Sequence, residues 1–442
     1  MIFENFAAAQ DYLLWGTFAL ALILGAVANK TNFCTMGAVS DWVNMGDTGR
    51  IRAWLLAIAV AVLGMTALEA MSLADPNNAF PPYRSGQLVW AENLLGGLLF
   101  GIGMTLGSGC GNKTLVRVGG GNLKSVMVFL VIGVVAYFMV NPFPGTDKTL
   151  FTVLFYDWIR PLAINLKTTQ DLGAVVTGGE QAATARLAIG VLLGLLLLIV
   201  VFKSADFRRS FDNILGGLVV GLVVVGAWYL TSNLLLKYES EFEGEVEITA
   251  REFVDPTSTR GWVSMEAMGT VEDAEILAGW DASRPNVASQ SPQSFTFINP
   301  MGQSVGYVAG GLPRDQLSFG VMSVLGVVLG SLLWALLARR FRIEWFSSLR
   351  DFVNHFVGAI LMGVGGVLAM GCTIGQAVTG VSTLAIGSFI AFGAIVLGSA
   401  LTMKVQYYKM VYEGEASFVA ALITALVDFR LLPKGLRRLE AA

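Results

Sequence analysis

The stretch that decides the fold is GGLLFGIGMTLGSGCGNK, residues 96–113, where an apolar run ends in a glycine-rich segment around Cys110. A second stretch, GAILMGVGGVLAMGCTIGQ at 358–376, aligns with it at an offset of 262 residues, which pairs Cys110 with Cys372. The same offset matches Gly96 with Gly358, Gly101 with Gly363, Gly103 with Gly365, Gly109 with Gly371, Leu99 with Leu361, and Leu106 with Leu368. A helix-length apolar run followed by a glycine-rich polar break is typical of a discontinuous membrane helix, and its repetition predicts an internal repeat.

Composition places the chain in a membrane. Hydrophobic residues make up 55% of the chain and charged residues only 14%, with a mean hydropathy of +0.65. A helix needs about 20 apolar residues to cross the hydrocarbon core. The candidate crossings are 12–29, 52–73, 91–108, 124–141, 187–203, 211–235, 316–338, 355–371 and 383–402. Three shorter apolar segments, 33–45, 149–166 and 416–432, are predicted to be re-entrant or interfacial helices.

The loop charges predict an orientation. Basic residues cluster at 203–209, 339–342 and 430–438, and such loops are normally cytoplasmic. The stretch 237–312 carries twelve acidic residues against four basic ones, so we expect it outside the cell. Nine crossings then leave the N-terminus outside and the C-terminus in the cytoplasm. The helices before Cys110 and Cys372 run in opposite directions under this topology, and the repeats are inverted.

The predicted fold class is an all-α integral membrane protein of about nine transmembrane helices in inverted repeats, with short re-entrant helices and a small extracytoplasmic insertion. The parts are a first membrane repeat (1–170), central helices opening the second repeat (171–236), the acidic insertion (237–312), and the rest of the second repeat with a cytoplasmic tail (313–442). Within the insertion, alternating glutamates at 241–247 predict a strand, and 264–280 is helix-like. The insertion could be a solvated cap or a binding module.

Three cysteines, Cys34, Cys110 and Cys372, are the only ones in the chain, and each lies in a glycine-bearing break of an apolar run. Because the chain has three cysteines and a single histidine, His355, neither a Cys₂His₂ nor a Cys₄ zinc site can form within one subunit. The settings also do not resemble a disulfide framework. A thiol is a weak donor with a soft, polarizable sulfur, so we predict a path for a small anion that carries a soft atom, with no metal or cofactor.

Small and polar residues beside the cysteines complete the candidate pathway. Glycines let backbone and ligand approach closely, and helix N-termini favour negative charge. Lys113 could attract an anion or extend to the interface, and Arg117 is interpreted as an interfacial anchor. Asp41 could be a proton-coupled group or a partner of Arg50 or Arg52. The candidate residues are Cys34, Cys110, Cys372, Gly109, Gly111, Asn112, Lys113, Gly371, Thr373 and Gln376.

At these motifs the chain resembles the YeeE/YedE family of sulfur-transport membrane proteins, over 32–46, 96–122 and 358–380. The resemblance implies a nine-crossing inverted-repeat fold. It also implies that thiosulfate passes along three cysteines through S–H···S hydrogen bonds, and that a cytoplasmic TusA-like sulfur carrier receives it. Some relatives are associated with selenium metabolism.

We therefore predict a non-enzymatic importer of thiosulfate, or of a closely related sulfur anion, in the bacterial inner membrane. Three alternatives stay open: a permease for selenium or other sulfur compounds, a membrane sulfurtransferase with a persulfide intermediate, and a structural or sensory subunit with inert thiols. The chain shows no phosphate loop, no dinucleotide fingerprint and no nucleophile–histidine–acid set. It also lacks a basic cluster dense enough for nucleic acid.

Overall fold

The computed structural model describes residues 2–3, 6–240, 244–249, 291–411, 417–433 and 435–436. Within these ranges the chain is mainly helical and its few strands are short, which confirms the predicted all-α class. The helices are α1 (Phe6–Lys30), α2 (Thr35–Ser40), α3 (Gly49–Ala70), α4 (Trp90–Leu106), α5 (Gly111–Gly119), α6 (Leu123–Val140), α7 (Asp157–Ile159), α8 (Leu172–Thr177), α9 (Ala182–Phe202), α10 (Ala205–Arg209), α11 (Phe211–Ser232), α12 (Ile298–Ala309), α13 (Phe319–Leu337), α14 (Leu349–Leu368), α15 (Ile386–Val411) and α16 (Phe418–Asp428).

Nine helices in the described part of the chain are long and apolar enough to span a membrane, as the sequence predicts. They are α1, α3, α4, α6, α9, α11, α13, α14 and α15. Helix α9 is the most exposed of them, with aliphatic side chains such as Leu192, Leu196 and Ile199 on its surface. An all-round apolar helix of this kind is stable only when lipid or another apolar surface covers it.

The three shorter apolar segments also contain helical structure. The first holds α2 and a π-helical turn, Asp41–Met45, the second holds short turns between Thr152 and Leu162, and the third holds α16. Their re-entrant or interfacial character stays a prediction.

The insertion begins with a hairpin. Strands β4 (Leu235–Ser240) and β5 (Gly244–Thr249) pair antiparallel, and β1 (Ile2–Phe3) pairs parallel to β4. The other two strands, β2 (Gln87–Leu88) and β3 (Ile164–Asn165), form a separate antiparallel pair. Strand β5 covers the second half of the predicted strand at 241–247, while the helix predicted at 264–280 lies outside the described residues.

The end of the stretch 237–312 packs inside the helical body. Phe295, Phe297, Ile298 and Met301 are fully buried, and α12 packs against α6 and α13. By packing, residues 293–309 belong with the membrane helices, whereas the predicted insertion 237–312 includes them. The short helix α12 cannot bury these apolar side chains by itself, so they are stabilised by packing against α6 and α13.

Helices α4 and α14 show the relation between the repeats. A methyl group placed on Gly96 would lie 2.7 Å from the Gly365 carbonyl oxygen, and one on Gly103 would lie 2.6 Å from that of Gly358. At the offset of 262, Gly96 is the equivalent of Gly358, and Gly103 is the equivalent of Gly365. Equivalent positions therefore exchange contacts across two antiparallel helices, which is the geometry of an internal two-fold axis.

Several other helix pairs follow the same symmetry. Helix α1 packs on α13 as α11 packs on α3, and α4 packs on α15 as α14 packs on α6. The short segments obey it too: α5 packs on α13 as the π-helical segment Ile374–Gly380 packs on α3, and α2 packs on α15 as α12 packs on α6. The two cysteine-bearing breaks therefore face each other across the repeat interface.

A buried ionic network ties together the loops on the face opposite the basic loops. Arg84, only 1% exposed, contacts Glu69 at 2.7 Å. Arg186 lies 3.3 Å from Glu69 and 2.8 Å from Asp171. Burial works against the ionised carboxylate of Asp171, but hydrogen bonds led by those from Arg186 outweigh it and lower the pKa of Asp171 to about 2. Asp171 therefore stays ionised, and paired with Arg186, throughout the physiological pH range.

Candidate functional site

The same backbone turn precedes each of the three cysteines. A helix ends at a residue in the left-handed region two positions before the cysteine, and the next residue donates its N–H to the carbonyl five positions earlier. This is the Schellman pattern of helix termination. The left-handed residues are Asn32 (φ 51°), Ser108 (φ 58°) and Met370 (φ 57°), and the bonds run from Phe33 to Ala28 (3.1 Å), Gly109 to Met104 (2.9 Å) and Gly371 to Gly366 (2.8 Å).

A short helical segment begins directly after each cysteine. Cys34 precedes α2, Cys110 precedes α5, and Cys372 precedes the helical residues 373–382. Each thiol is bonded by the backbone N–H three residues further on. The donors are Gly37 to Cys34 (3.4 Å), Lys113 to Cys110, and Gly375 to Cys372. All three sulfurs therefore lie at the positive, N-terminal ends of helical turns.

The three thiols are free, buried and arranged in series. Cys34 is 4% exposed, Cys110 1% and Cys372 0%. Cys110 interacts electrostatically with Cys34 and also with Cys372, so it occupies the middle position. The hydroxyl oxygen of Thr35 lies 4.0 Å from the Cys110 sulfur, in the gap towards Cys34. The predicted cysteines thus come together at the repeat interface.

The predicted glycines keep the space around the sulfurs open. A methyl group on Gly111 would lie 3.7 Å from Cys372 Cβ, and one on Gly109 would lie 3.1 Å from Lys113 Cγ. A methyl group on Gly371 would lie 3.3 Å from the hydroxyl oxygen of Thr296. A side chain at any of these positions would fill the gaps between the thiols and their polar neighbours.

Three predicted polar residues beside the thiols are buried and incompletely bonded. Asn112 Oδ1 and Gln376 Oε1 have no partner among the described residues. Thr373 Oγ1 has no nitrogen or oxygen partner there either, and it faces the Cys110 sulfur. An unsatisfied buried polar group costs about 1–3 kcal/mol. Several such groups in one place therefore indicate a site that a polar ligand or water completes.

Lys113 connects the thiols to a basic cavity. It is 9% exposed, and its ammonium group donates a hydrogen bond to Asn32 Oδ1. It lines a cavity of ≈ 410 Å³ together with Arg117, Arg340 and Arg342. The acidic residues of this cavity are Glu344 and Asp351, and Asp351 is paired with Lys124 at 2.8 Å. Positive charge therefore dominates the cavity.

Arg117, interpreted from sequence as an interfacial anchor, is half-buried in this cavity and forms no ion pair with any described residue. Asp41, by contrast, pairs with Arg50 at 2.6 Å, which is the second of the two roles considered for it. Among the described residues, no three His, Cys, Asp or Glu side chains come together as metal ligands.

Sequence reasoning missed Thr35, Thr296 and Tyr83. Tyr83 is 1% exposed, donates a hydrogen bond to the Gly375 carbonyl (3.0 Å), and interacts electrostatically with Cys372. No local pattern marks Tyr83, because a loop brings it to the site. Thr296 could have been found, since the offset of 262 that pairs Cys110 with Cys372 carries Cys34 onto Thr296.

Fold and site together define a multi-pass membrane protein with three buried free thiols at the interface of two inverted repeats. The chain belongs to the "Sulphur transport" family, whose model matches residues 30–293 and 274–401. This confirms the YeeE/YedE resemblance seen in the sequence.

Two relatives share nearly the whole chain. The thiosulfate transporter TsuA of Spirochaeta thermophila is 20% identical over 394 residues, which cover 88% of this chain and 97% of that protein. The thiosulfate transporter TsuA of Escherichia coli is 22% identical over 423 residues, which cover 90% and 96% respectively. The similarity therefore extends over nearly the full length of this chain and of both relatives.

Proposed function

We propose that this protein imports thiosulfate, or a closely related sulfur anion, across the bacterial inner membrane by passing it along Cys372, Cys110 and Cys34. The observation that carries the proposal is the series of three buried thiols, each at the start of a helical turn. The naming of both relatives as thiosulfate transporters supports the choice of substrate.

The thiols and the neighbouring backbone N–H groups would replace the water that the anion loses when it enters the protein. Moving an ion into an apolar interior costs several kcal/mol unless fixed donors replace its water. A thiol can donate S–H to the soft terminal sulfur of thiosulfate, and backbone N–H groups at the helix starts offset the negative charge. No bond between cysteine and substrate forms or breaks, so each thiol is ready for the next anion.

The charges at the two ends of the series support the inward direction. Cys372 lies beside Tyr83 and the loops of the ionic network, whereas Lys113 and Arg117 lie beside the basic cavity near Cys110. The loops that border this cavity, with Arg340 and Arg342, are predicted to be cytoplasmic. The anion would therefore enter past Tyr83 and leave through the cavity. A cytoplasmic TusA-like sulfur carrier is the proposed acceptor.

Uptake of labelled thiosulfate into proteoliposomes tests the proposal. Cys110→Ala is expected to abolish uptake, because it removes the middle donor of the series. Alanine is small enough to fit the space that the cysteine occupies. Cys110→Ser is expected to retain little activity, since a hydroxyl is a harder donor and is more strongly hydrated. Full uptake by the triple variant of Cys34, Cys110 and Cys372 to Ala would rule out the relay.

Two further measurements separate the competing functions. Intact mass after incubation with thiosulfate should show no added sulfur, and a persulfide that forms and decays with turnover would instead indicate a sulfurtransferase. Selenate and selenite, added as competitors, should inhibit uptake less than unlabelled thiosulfate. The reverse order would assign the scaffold to selenium transport.

A further inference from the structure

The internal two-fold axis gives Cys34 a counterpart. The offset of 262 aligns Phe33 and Cys34 with Phe295 and Thr296, and both phenylalanines are buried. Cys34 directly precedes α2, and Thr296 lies two residues before α12, the helix that α2 matches in packing. Thr296 thus occupies, in the second repeat, the place that Cys34 occupies in the first.

Thr296 also stands beside the other cysteine break. Its hydroxyl oxygen is the nearest atom to a methyl group built on Gly371 (3.3 Å). It is also the nearest atom to a methyl group built on Gly375. Those two glycines flank Cys372 and the start of the helical turn that follows it. Thr296 therefore extends the series of thiols by one position beyond Cys372, on the side away from Cys34.

The hydroxyl of Thr296 has no partner among the residues that the structure describes, unlike the hydroxyls of its neighbours. Thr296 is 7% exposed, and its Oγ1 forms no hydrogen bond within the described part of the chain. By contrast, Thr379 donates to the Phe295 carbonyl (2.7 Å) and Ser294 donates to the Val224 carbonyl (2.8 Å). A buried hydroxyl at this point, left without a partner while adjacent ones are satisfied, is available to a ligand.

We propose that Thr296 is a fourth substrate-binding position, which donates a hydrogen bond to an oxygen of the sulfur oxyanion while Cys372 engages its soft sulfur. The inference rests on the proposed function and adds a specificity residue to it. The chemical difference between the two-fold partners gives the reason: a hydroxyl is a hard donor suited to oxygen, and a thiol is a soft one suited to sulfur. Thr296 would thereby orient the anion with its sulfur towards the thiols.

Substitutions that keep the shape of Thr296 test this role. Thr296→Val removes only the hydroxyl, so KM for thiosulfate uptake should rise roughly tenfold, the equivalent of one hydrogen bond. Thr296→Ser should keep KM within about twofold of the wild type. The matched control is Thr17→Val, which removes another fully buried hydroxyl without a described partner, in α1, and should change nothing.

A second readout does not depend on transport. In Thr296→Cys, thiosulfate should slow modification of the new thiol by a small maleimide, at the concentrations that protect Cys372, as followed by peptide mass spectrometry. If Thr296→Val folds poorly, the Ser and Cys variants decide the question.

The outcomes are distinguishable from failure of the relay itself. A wild-type KM for Thr296→Val, or a new thiol in Thr296→Cys that thiosulfate does not protect, overturns this inference even if Cys372→Ala abolishes uptake. Normal uptake by Cys372→Ala would overturn the relay, and the inference with it.

Discussion

The three cysteine turns share a conformation that their residues do not favour. Asn32, Ser108 and Met370 all adopt a left-handed backbone, which costs a residue with a side chain roughly 1–2 kcal/mol. Asparagine accepts this conformation more readily than methionine does, so the sequence signal for the turn differs at each site. The turn is nonetheless the same at each site, because the same hydrogen bond to the carbonyl five positions earlier closes it.

At the residue scale, Arg117 offers the clearest electrostatic prediction. Arg117→Gln removes from the basic cavity a cation that forms no ion pair with any described residue, so we expect thiosulfate uptake at low ionic strength to fall severalfold. The loss should shrink as salt is added, because exposed charges are screened beyond about 8–10 Å at 0.1–0.15 M salt. Initial rates in proteoliposomes at several salt concentrations provide the measurement.

Arg339→Gln is the matched control for Arg117. Arg339 is an exposed cation on the same predicted face, next to Arg340, but it does not line the cavity. Equal losses in both variants would mean that general surface charge, and not the cavity, attracts the anion.

At the element scale, the contact between α4 and α14 depends on glycine. Gly103→Ala would bring a methyl group to 2.6 Å from the Gly358 carbonyl oxygen and to 2.8 Å from the Met362 nitrogen. Backbone atoms cannot move aside as a flexible side chain does, so the helices must separate, at a cost of roughly 1–3 kcal/mol. We expect a lower melting temperature in detergent and reduced uptake.

The control for that prediction is Gly393→Ala in α15, where no atom lies within 4 Å of the new methyl group. Alanine favours helix by about 1 kcal/mol over glycine, so this variant should be as stable as the wild type or more so. An unchanged melting temperature for Gly103→Ala would show that α4 and α14 are not locked by this contact.

Elements were predictable from sequence to differing degrees. The nine spanning helices follow from hydropathy alone, since each must satisfy its backbone bonds internally in lipid. Helix α12 was not recognised, because its twelve residues are too few to cross a bilayer and follow an acidic stretch. It is stable only where α6 and α13 cover it.

At the scale of the whole molecule, the topology can be tested by labelling. Thr146 follows α6 in an exposed loop predicted to lie outside, and Arg340 lies in an exposed loop predicted to be cytoplasmic. A membrane-impermeant maleimide should label Thr146→Cys in intact cells, and should label Arg340→Cys only after permeabilisation. The buried native cysteines should give little background.

Reversed labelling would invert the proposed direction of transport, since the basic cavity would then face the outside. Labelling of both positions in intact cells would argue for a mixed orientation and against the charge rule as applied to these loops.

The sequence by itself determined the membrane class, the nine spans, the inverted repeat and the three cysteines, because these depend on local hydropathy and on residue identities at a constant offset. The tertiary structure alone decided the order of the thiols, with Cys110 in the middle, and which other residues surround them. Thr296 also follows from the constant offset, but Tyr83 and the cavity around Arg117 come from loops and short helices that are far apart in sequence. Their convergence depends on packing across the two-fold axis, which no local pattern encodes.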